Sequence, residues 1–407
     1  MRASERFISY AKLYTTSDEK SETTPSTARQ KVLADLLCTE LTELGIAAQV
    51  DDQGYVYASM PATHGCENAP ALGFIAHMDT APAFSGEHVM PILHKNYDGG
   101  DVALPREGRV IRVADFPALR AWKGRTLITA DGSTLLGADD KAGLAEIMTA
   151  CDALLQSGAP HGKICIAFTP DEEIGAGADH FDVEKFGAKY AYTVDGDEEG
   201  EISYENFNAA SAVFDITGVS VHPGSAKNVM ENAYLLAFEI NAALPANETP
   251  AHTQDYEGFY HLEAIEGDAA RARMSYIVRD HDAQKFAARK ALLERTAAFV
   301  QAKHPAAQIA LTLTDTYYNM AQQIAPCMHL IENAKAATEK AGAQPHIIPI
   351  RGGTDGSRLS YLGLPCPNIG TGGTNFHGPY ECITVEGMDT VVEILLNLAA
   401  LYAKQGQ

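Results

Sequence analysis

Five polar clusters stand at or just past the ends of short apolar runs. The first, Ala76-His77-Met78-Asp79-Thr80, closes the run Ala71 to Ile75. Residues two apart on a strand share a face, so His77 can bind a metal through one ring nitrogen while Asp79 holds the other. The second, Leu136-Gly-Ala-Asp139-Asp140-Lys-Ala-Gly143, leads into a helical pattern. One of its acids can cap that helix while the other projects, and a carboxylate is the natural bridge between two zinc ions, which favours Asp139 as a ligand. The third, Phe168-Thr-Pro-Asp171-Glu172-Glu173-Ile-Gly175, stacks three acids whose repulsion is costly without compensating cations. There one carboxylate can coordinate while the other, Glu172 or Glu173, stays free as a general base. The fourth ends a strand at Asp195-Gly196, and the fifth places His377 in Thr371-Gly-Gly-Thr-Asn-Phe-His377-Gly378.

Each cluster alone has an ordinary reading: a hydrogen-bonded His-x-Asp pair, a helix cap, an Asp-Gly turn, a loop histidine. Together, two imidazoles and three carboxylates make the mixed nitrogen and oxygen donor set of a hydrolytic two-zinc site. Other chemistries find no footing, for the chain contains no Gly-x-Ser-x-Gly, Walker loop, His-Glu-x-x-His or Gly-x-Gly-x-x-Gly.

The elements that must position these residues alternate. A helix is predicted from Ala28 to Leu44 and another over Lys141 to Leu155, with strands at 46–50, 55–60, 71–76, 163–168 and 190–194. Such alternation argues for an α/β sheet covered on both faces, with ligands beyond the carboxyl ends of its strands. From about residue 208 the pattern changes to alternating strands at 210–216, 273–278 and 308–314 with helices at 229–243 and 282–303. From about Met320 the α/β character returns, with helices at 329–341 and 385–404. The expected organisation is therefore a catalytic domain, 1–207 plus 320–407, interrupted by a smaller α+β domain at 208–319.

A chain of 407 residues suits two domains. With 53 acidic against 31 basic residues the net charge is −22, which disfavours nucleic acid and anionic membranes as partners. Seven scattered cysteines without a Cys-x-x-Cys pair argue against a disulfide scaffold. No secretion signal and no stretch near the ~20 apolar residues of a membrane span are visible, so a cytoplasmic location is expected.

Taken in order, His77-x-Asp79, Gly137-Ala-Asp-Asp-Lys-Ala-Gly143, Asp171-Glu-Glu173, Asp195-Gly and His377 resemble the signature of the M20 metallopeptidases. Further segments, among them Phe207 to Ser211, His222-Pro-Gly224, Tyr256 to Leu262 and Arg351-Gly-Gly-Thr-Asp-Gly356, extend the resemblance over nearly the whole chain. The resemblance implies a zinc-peptidase catalytic domain with a central mixed sheet flanked by helices, and an inserted lid or dimerisation domain. It implies that Asp139 bridges two zinc ions, that His77 and Asp195 complete one site and Glu173 and His377 the other, that Glu172 is the base, and that Asp79 orients His77. Cobalt or manganese would suit the same donors. It further implies a cis peptide at Asp139-Asp140, and a role for His222 in stabilising the oxyanion, in its own subunit or a dimer partner's. Asn232, Arg279 and Arg351 are the expected substrate contacts, an arginine fork being suited to a peptide's terminal carboxylate. The activity implied is that of an aminopeptidase acting on tripeptides with a free N-terminus. Alternatives are a related dipeptidase, carboxypeptidase or N-acyl amino acid deacylase, and an inactive metal-binding protein, against which the intact Glu172-Glu173 pair argues.

Overall fold

Short apolar runs assemble, in the computed structural model, into a mixed eight-stranded sheet; residues 1–405 are described. Across it the strands run Ala47–Val50, Val56–Met60, Ile164–Thr169, Leu72–His77, Tyr190–Gly196, Asn368–Gly370, Glu201–Ser203 and His346–Ile347. Ile164–Thr169, Leu72–His77 and Tyr190–Gly196 are parallel neighbours, with His77 paired to Thr169. Their carboxyl ends therefore emerge together. Every residue of Leu72–His77 and Ile164–Thr169 is buried, as expected of strands covered on both faces.

The helices Ala3–Ala11, Ala138–Ser157, His329–Lys340 and Val385–Lys404 pack together over one face. There Tyr192 donates its hydroxyl to the Leu330 carbonyl at 2.7 Å. Residues of opposite parity, such as Ile75, Ala167 and Ala191, join Phe181, Phe186 and Leu359 in a core on the other face. Each fully buried Phe or Leu contributes roughly 1.5–3 kcal/mol. A small antiparallel sheet, Gly373–Thr374, Cys382–Thr384, Leu127–Thr129 and Ile92–His94, closes the hairpin that carries His377.

These elements belong to the larger of two compact units, made of Met1–Tyr204, Gln322–Ile348 and the chain from Thr354 onward. The second unit is Glu205–Ala321 with Pro349–Gly353. It is a four-stranded antiparallel sheet in the order Phe259–Gly267, Arg271–Asp280, Asn208–Thr217, Gln308–Tyr317. The helices Ala233–Ala242 and Ala283–Lys303 cover a core that includes Phe214, Leu236, Met274, Tyr276 and Leu293. Both helices start where a side chain caps them: Asn232 and Asp282 each accept two backbone N–H groups. That cap is why the helix expected from Val229 begins at Ala233.

Several elements were absent from the sequence reading, among them the strands Ile92–His94, Leu127–Thr129, Glu201–Ser203, Asn368–Gly370 and Cys382–Thr384, too short to show a period, and two longer ones. Phe259–Gly267 lies at the sheet edge with most side chains exposed, so it lacks the alternation that marks a strand. Asp355–Tyr361 is a short helix inside a Gly-rich stretch. Among the described residues no helix is long and apolar enough to cross a membrane.

Candidate metal centre

Three adjacent parallel strands deliver most of the site. Leu72–His77 ends on His77, Tyr190–Gly196 carries Asp195, and Ile164–Thr169 runs into the loop that holds Glu172 and Glu173. Asp171 anchors that loop, its carboxylate accepting from the Ser26 backbone N–H at 2.6 Å, the Ser26 hydroxyl at 2.5 Å and Gln30 Nε2 at 2.6 Å. Asp139 arrives from the first residues of helix Ala138–Ser157, where Asp139 and Asp140 keep non-helical backbone angles and form a turn. Gly137 there takes φ +77°, open to glycine at little cost, and the Asp139-Asp140 peptide is cis, as the resemblance implied. A Cβ on Gly143 would meet the Val194 carbonyl at 2.1 Å, so only glycine lets this helix approach the Asp195 strand.

His77 Nε2 lies 2.9 Å from Asp139 Oδ1 and 3.3 Å from Asp195 Oδ1. His377 Nε2 lies 3.0 Å from Asp139 Oδ2 and 2.9 Å from Glu173 Oε2. Asp139 thus turns one oxygen to each histidine, although 238 residues separate it from His377. Ligand atoms of His77, Asp139 and Glu173 fall within 4.8 Å of one another, as do those of His77, Glu172 and Asp195. Asp79 braces two parts at once. His77 Nδ1 sits 3.1 Å from its carbonyl and 3.4 Å from its carboxylate, while the carboxylate accepts the N–H groups of Glu172 at 3.0 Å and Glu173 at 3.2 Å.

Neither acid of the Asp139-Asp140 pair caps the helix, whose N-cap is Gly137. Asp140 is buried and accepts the His77 N–H at 3.0 Å, fixing the end of that strand.

The electrostatics are those of crowded acids. Burial, with Asp139 adding, pushes the Glu173 carboxyl up to about 8. Burial and then Asp195 hold Glu172 well above the usual carboxylate range. Burial lifts Asp195 to about 6 although His77 opposes it. Burial also raises Asp139, but hydrogen bonds to His377 and His77 outweigh it and bring that carboxyl below its ordinary value. Hydrogen bonds to Asp139 and Glu173 push His377 up to about 11. Glu173 Oε1 is buried without a hydrogen-bond partner.

The remaining residues singled out in the sequence lie in the second unit. His222 Nδ1 accepts the Gly224 N–H at 3.1 Å, and Asn232 accepts from Tyr234 and Leu235 at 3.0 and 3.4 Å. Arg351 donates to the carbonyls of Asp255 and Glu257 at 2.6 and 3.0 Å and to the Thr253 hydroxyl at 3.0 Å. Arg279 donates to the Arg351 carbonyl at 3.0 Å and lies near the rings of Phe259 and Tyr317. Each makes bonds to its own surroundings, although Arg279 Nε is buried without a hydrogen-bond partner.

Two buried acids at the centre escaped the sequence reading. Asp355 gives its N–H to Glu172 Oε1 at 3.3 Å and accepts the Thr169 hydroxyl at 2.8 Å; its Gly-Gly-Thr-Asp-Gly setting was the only signal. Glu381 accepts backbone N–H groups of the Asp139 turn, and nothing in the pattern distinguishes it from a surface glutamate.

A family model described as Peptidase family M20/M25/M40 matches residues 128–401. The chain belongs to this peptidase family. Within it the similarity is to proteins named Peptidase T: that of Alkaliphilus oremlandii is 50% identical over 98% of this chain and 99% of its own length, and that of Desulfitobacterium hafniense 52% over 98% of each. An aminopeptidase PepT from Bacillus cereus shares the fold with a TM-score of 0.79 at 24% identity, covering 99% of this chain and 98% of that one. A dinuclear metal binding peptidase of the M20 family from Bacillus subtilis does so with a TM-score of 0.67 at 15% identity, over 99% and 98%. The resemblance read from the motifs is thereby borne out.

Proposed function

We propose that this chain is a two-zinc aminopeptidase that removes the N-terminal residue from tripeptides. The observation that carries the reading is the placement of Asp139, one oxygen toward His77 and the other toward His377. His77, Asp139 and Asp195 would hold one ion, and Asp139, Glu173 and His377 the other. The residues fit such ions: the donors are imidazole and carboxylate, the orphaned Glu173 Oε1 is offered a partner, and positive charge offsets the repulsion that raises Glu172, Glu173 and Asp195. Zinc fits this donor set, and cobalt or manganese would substitute. When bound, such a pair supplies an acidified water and a Lewis acid at the peptide carbonyl.

The chain's own residues do the rest. Glu172, with one oxygen set by the Asp355 N–H, takes the proton of the attacking water and returns it to the leaving amine. Asp79 fixes the orientation of the His77 ring and, through two N–H bonds, that of the acid loop. A cleft of about 450 Å³ opens beside Glu173 and His377, and it is lined by Asp18 and Glu19 as well as Lys20. Apart from the proposed ligands Glu173 and His377, the charged lining is two carboxylates against one lysine, a balance that favours the α-ammonium of a free N-terminus. In the second unit His222 would stabilise the oxyanion, in its own subunit or in a dimer partner's, while Asn232, Arg279 and Arg351 would contact the substrate, an arginine fork gripping the peptide's carboxylate. That unit would act as a lid and as the surface of a homodimer. We place the enzyme in the cytoplasm.

Metal analysis combined with a panel of di-, tri- and tetrapeptides, free and N-blocked, tests the reading. Two zinc ions per chain and release of the first residue from free tripeptides are expected. Release from the C-terminus, or from N-blocked peptides at equal rate, would overturn it.

A further inference from the structure

The hairpin that carries His377 contains one acid, Glu381, only 1% exposed. Its Oε2 accepts the N–H groups of Leu136 at 2.7 Å and Gly137 at 2.8 Å, and its Oε1 accepts that of Asp139 at 3.0 Å. A buried carboxylate is tolerable only when its oxygens are satisfied, and three charge-assisted bonds meet that demand. All three donors come from one turn, the turn that presents Asp139.

The position of Glu381 is itself fixed. The next residue, Cys382, pairs with Thr374 on one side and Thr129 on the other, so the small sheet holds the base of the hairpin. Within the hairpin Asn375 and His377 both adopt positive φ, a conformation that residues other than glycine keep only where the surroundings enforce it. Asn375 Nδ2 donates to the Tyr380 carbonyl at 3.2 Å and closes the loop. The segment bearing His377 and the segment bearing Asp139 are thus joined through one carboxylate, four residues after His377.

We propose that Glu381 is a positioning residue of the metal centre: its carboxylate sets the Asp139 turn and ties it to the His377 hairpin, so that the bridging carboxylate and a histidine of the second site are held in register before any ion binds. The inference rests on the two-metal reading above.

Glu381→Gln isolates the effect. The amide oxygen can keep the Leu136 and Gly137 bonds, but its NH2 group then faces the Asp139 N–H, donor against donor. Full-length protein stripped of metal is titrated with cobalt(II), followed by calorimetry and by the visible absorption bands of the bound ion, with Tm of the metal-free protein measured alongside. Glu381→Gln should leave the metal-free Tm within a few degrees of wild type, bind cobalt about 10–100-fold more weakly and shift its absorption bands. Wild-type cobalt affinity and bands in this variant would overturn the proposal. Should Glu381→Gln fail to fold, Glu381→Asp, which keeps the charge and shortens the reach, is judged on the same scale: weakened binding supports the role, unchanged binding overturns it. Failure of both variants to fold without metal would assign Glu381 to the fold alone and likewise overturn it. If wild type itself does not take up two cobalt ions, the two-metal reading fails instead, and the two failures are told apart.

Discussion

In the first unit the imidazoles of His77 and His377 end on opposite oxygens of Asp139, whereas in the second unit Asn232 caps a helix and Arg351 ties down the 253–257 turn. The first group consists of side chains from distant segments that meet one another, with more acids than local hydrogen bonds can satisfy. The second consists of side chains that complete their own backbone. Parallel strands explain the first pattern, because several of them end on one side and their following loops must converge there. Antiparallel strands joined by turns explain the second, since each loop can be satisfied by its neighbours. Polar residues that bond mainly to each other, with an orphaned oxygen among them, mark a place built for a ligand; polar residues that serve the backbone need an additional reason to be functional.

Substitutions can break or sharpen that contrast. The largest effect is expected for Glu172→Gln, which should lower kcat by about 10²–10⁴-fold while zinc content measured by atomic absorption is unchanged; near-normal turnover would reject the assigned base. Arg351→Ala follows. If the guanidinium also grips the substrate carboxylate, KM for a tripeptide should rise about 10–100-fold, the loss of one charged hydrogen-bonding group, with kcat nearly kept. A fall in Tm with KM unchanged would leave Arg351 as a clip for its turn.

Asn232→Ala should cost about 1 kcal/mol of stability through the lost cap, and Asn232→Asp should restore the cap. Full activity in the aspartate variant would remove Asn232 from the substrate contacts, and lost activity at restored stability would keep it there. The smallest effect concerns His304, set between Glu231 at 2.7 Å and Glu239 at 3.0 Å. Burial lowers its pKa, but the two glutamates outweigh this and raise it above the ordinary value. A raised folded pKa means stabilisation that is complete below the unfolded pKa near ~6.5 and is lost as pH rises through the folded one. Tm should therefore decline as pH rises from the unfolded pKa through the raised folded one, by an amount worth under ~1 kcal/mol, and His304→Gln should flatten that slope.

Much of the framework was legible because helical and strand periods are local. The helix Val385–Lys404 and the strand Gln308–Tyr317 begin where apolar spacing places them. Strand order was not legible, since Val56–Met60 lies beside Ile164–Thr169 only by long-range pairing. At the site, the crowded Asp171-Glu172-Glu173 segment announced itself through its cost, and the structure then separates its members: Asp171 anchors to Ser26 and Gln30, while Glu172 and Glu173 face the histidines. Asp355 and Glu381 gave little or no such signal, because a single acid in a loop is ordinary until its partners are known.

Residue types and their placement at strand ends were enough to point to a hydrolytic metal chemistry and a set of candidate donors, because ligand preference is a property of the side chain. Which of these donors stand side by side, that Asp139 faces two histidines, and that Glu381 ties the Asp139 turn to a hairpin 242 residues away were decided only by tertiary structure. The physical reason is that coordination and hydrogen bonding act over about 2–3 Å, and only the folded sheet brings segments that far apart in the chain to such distances.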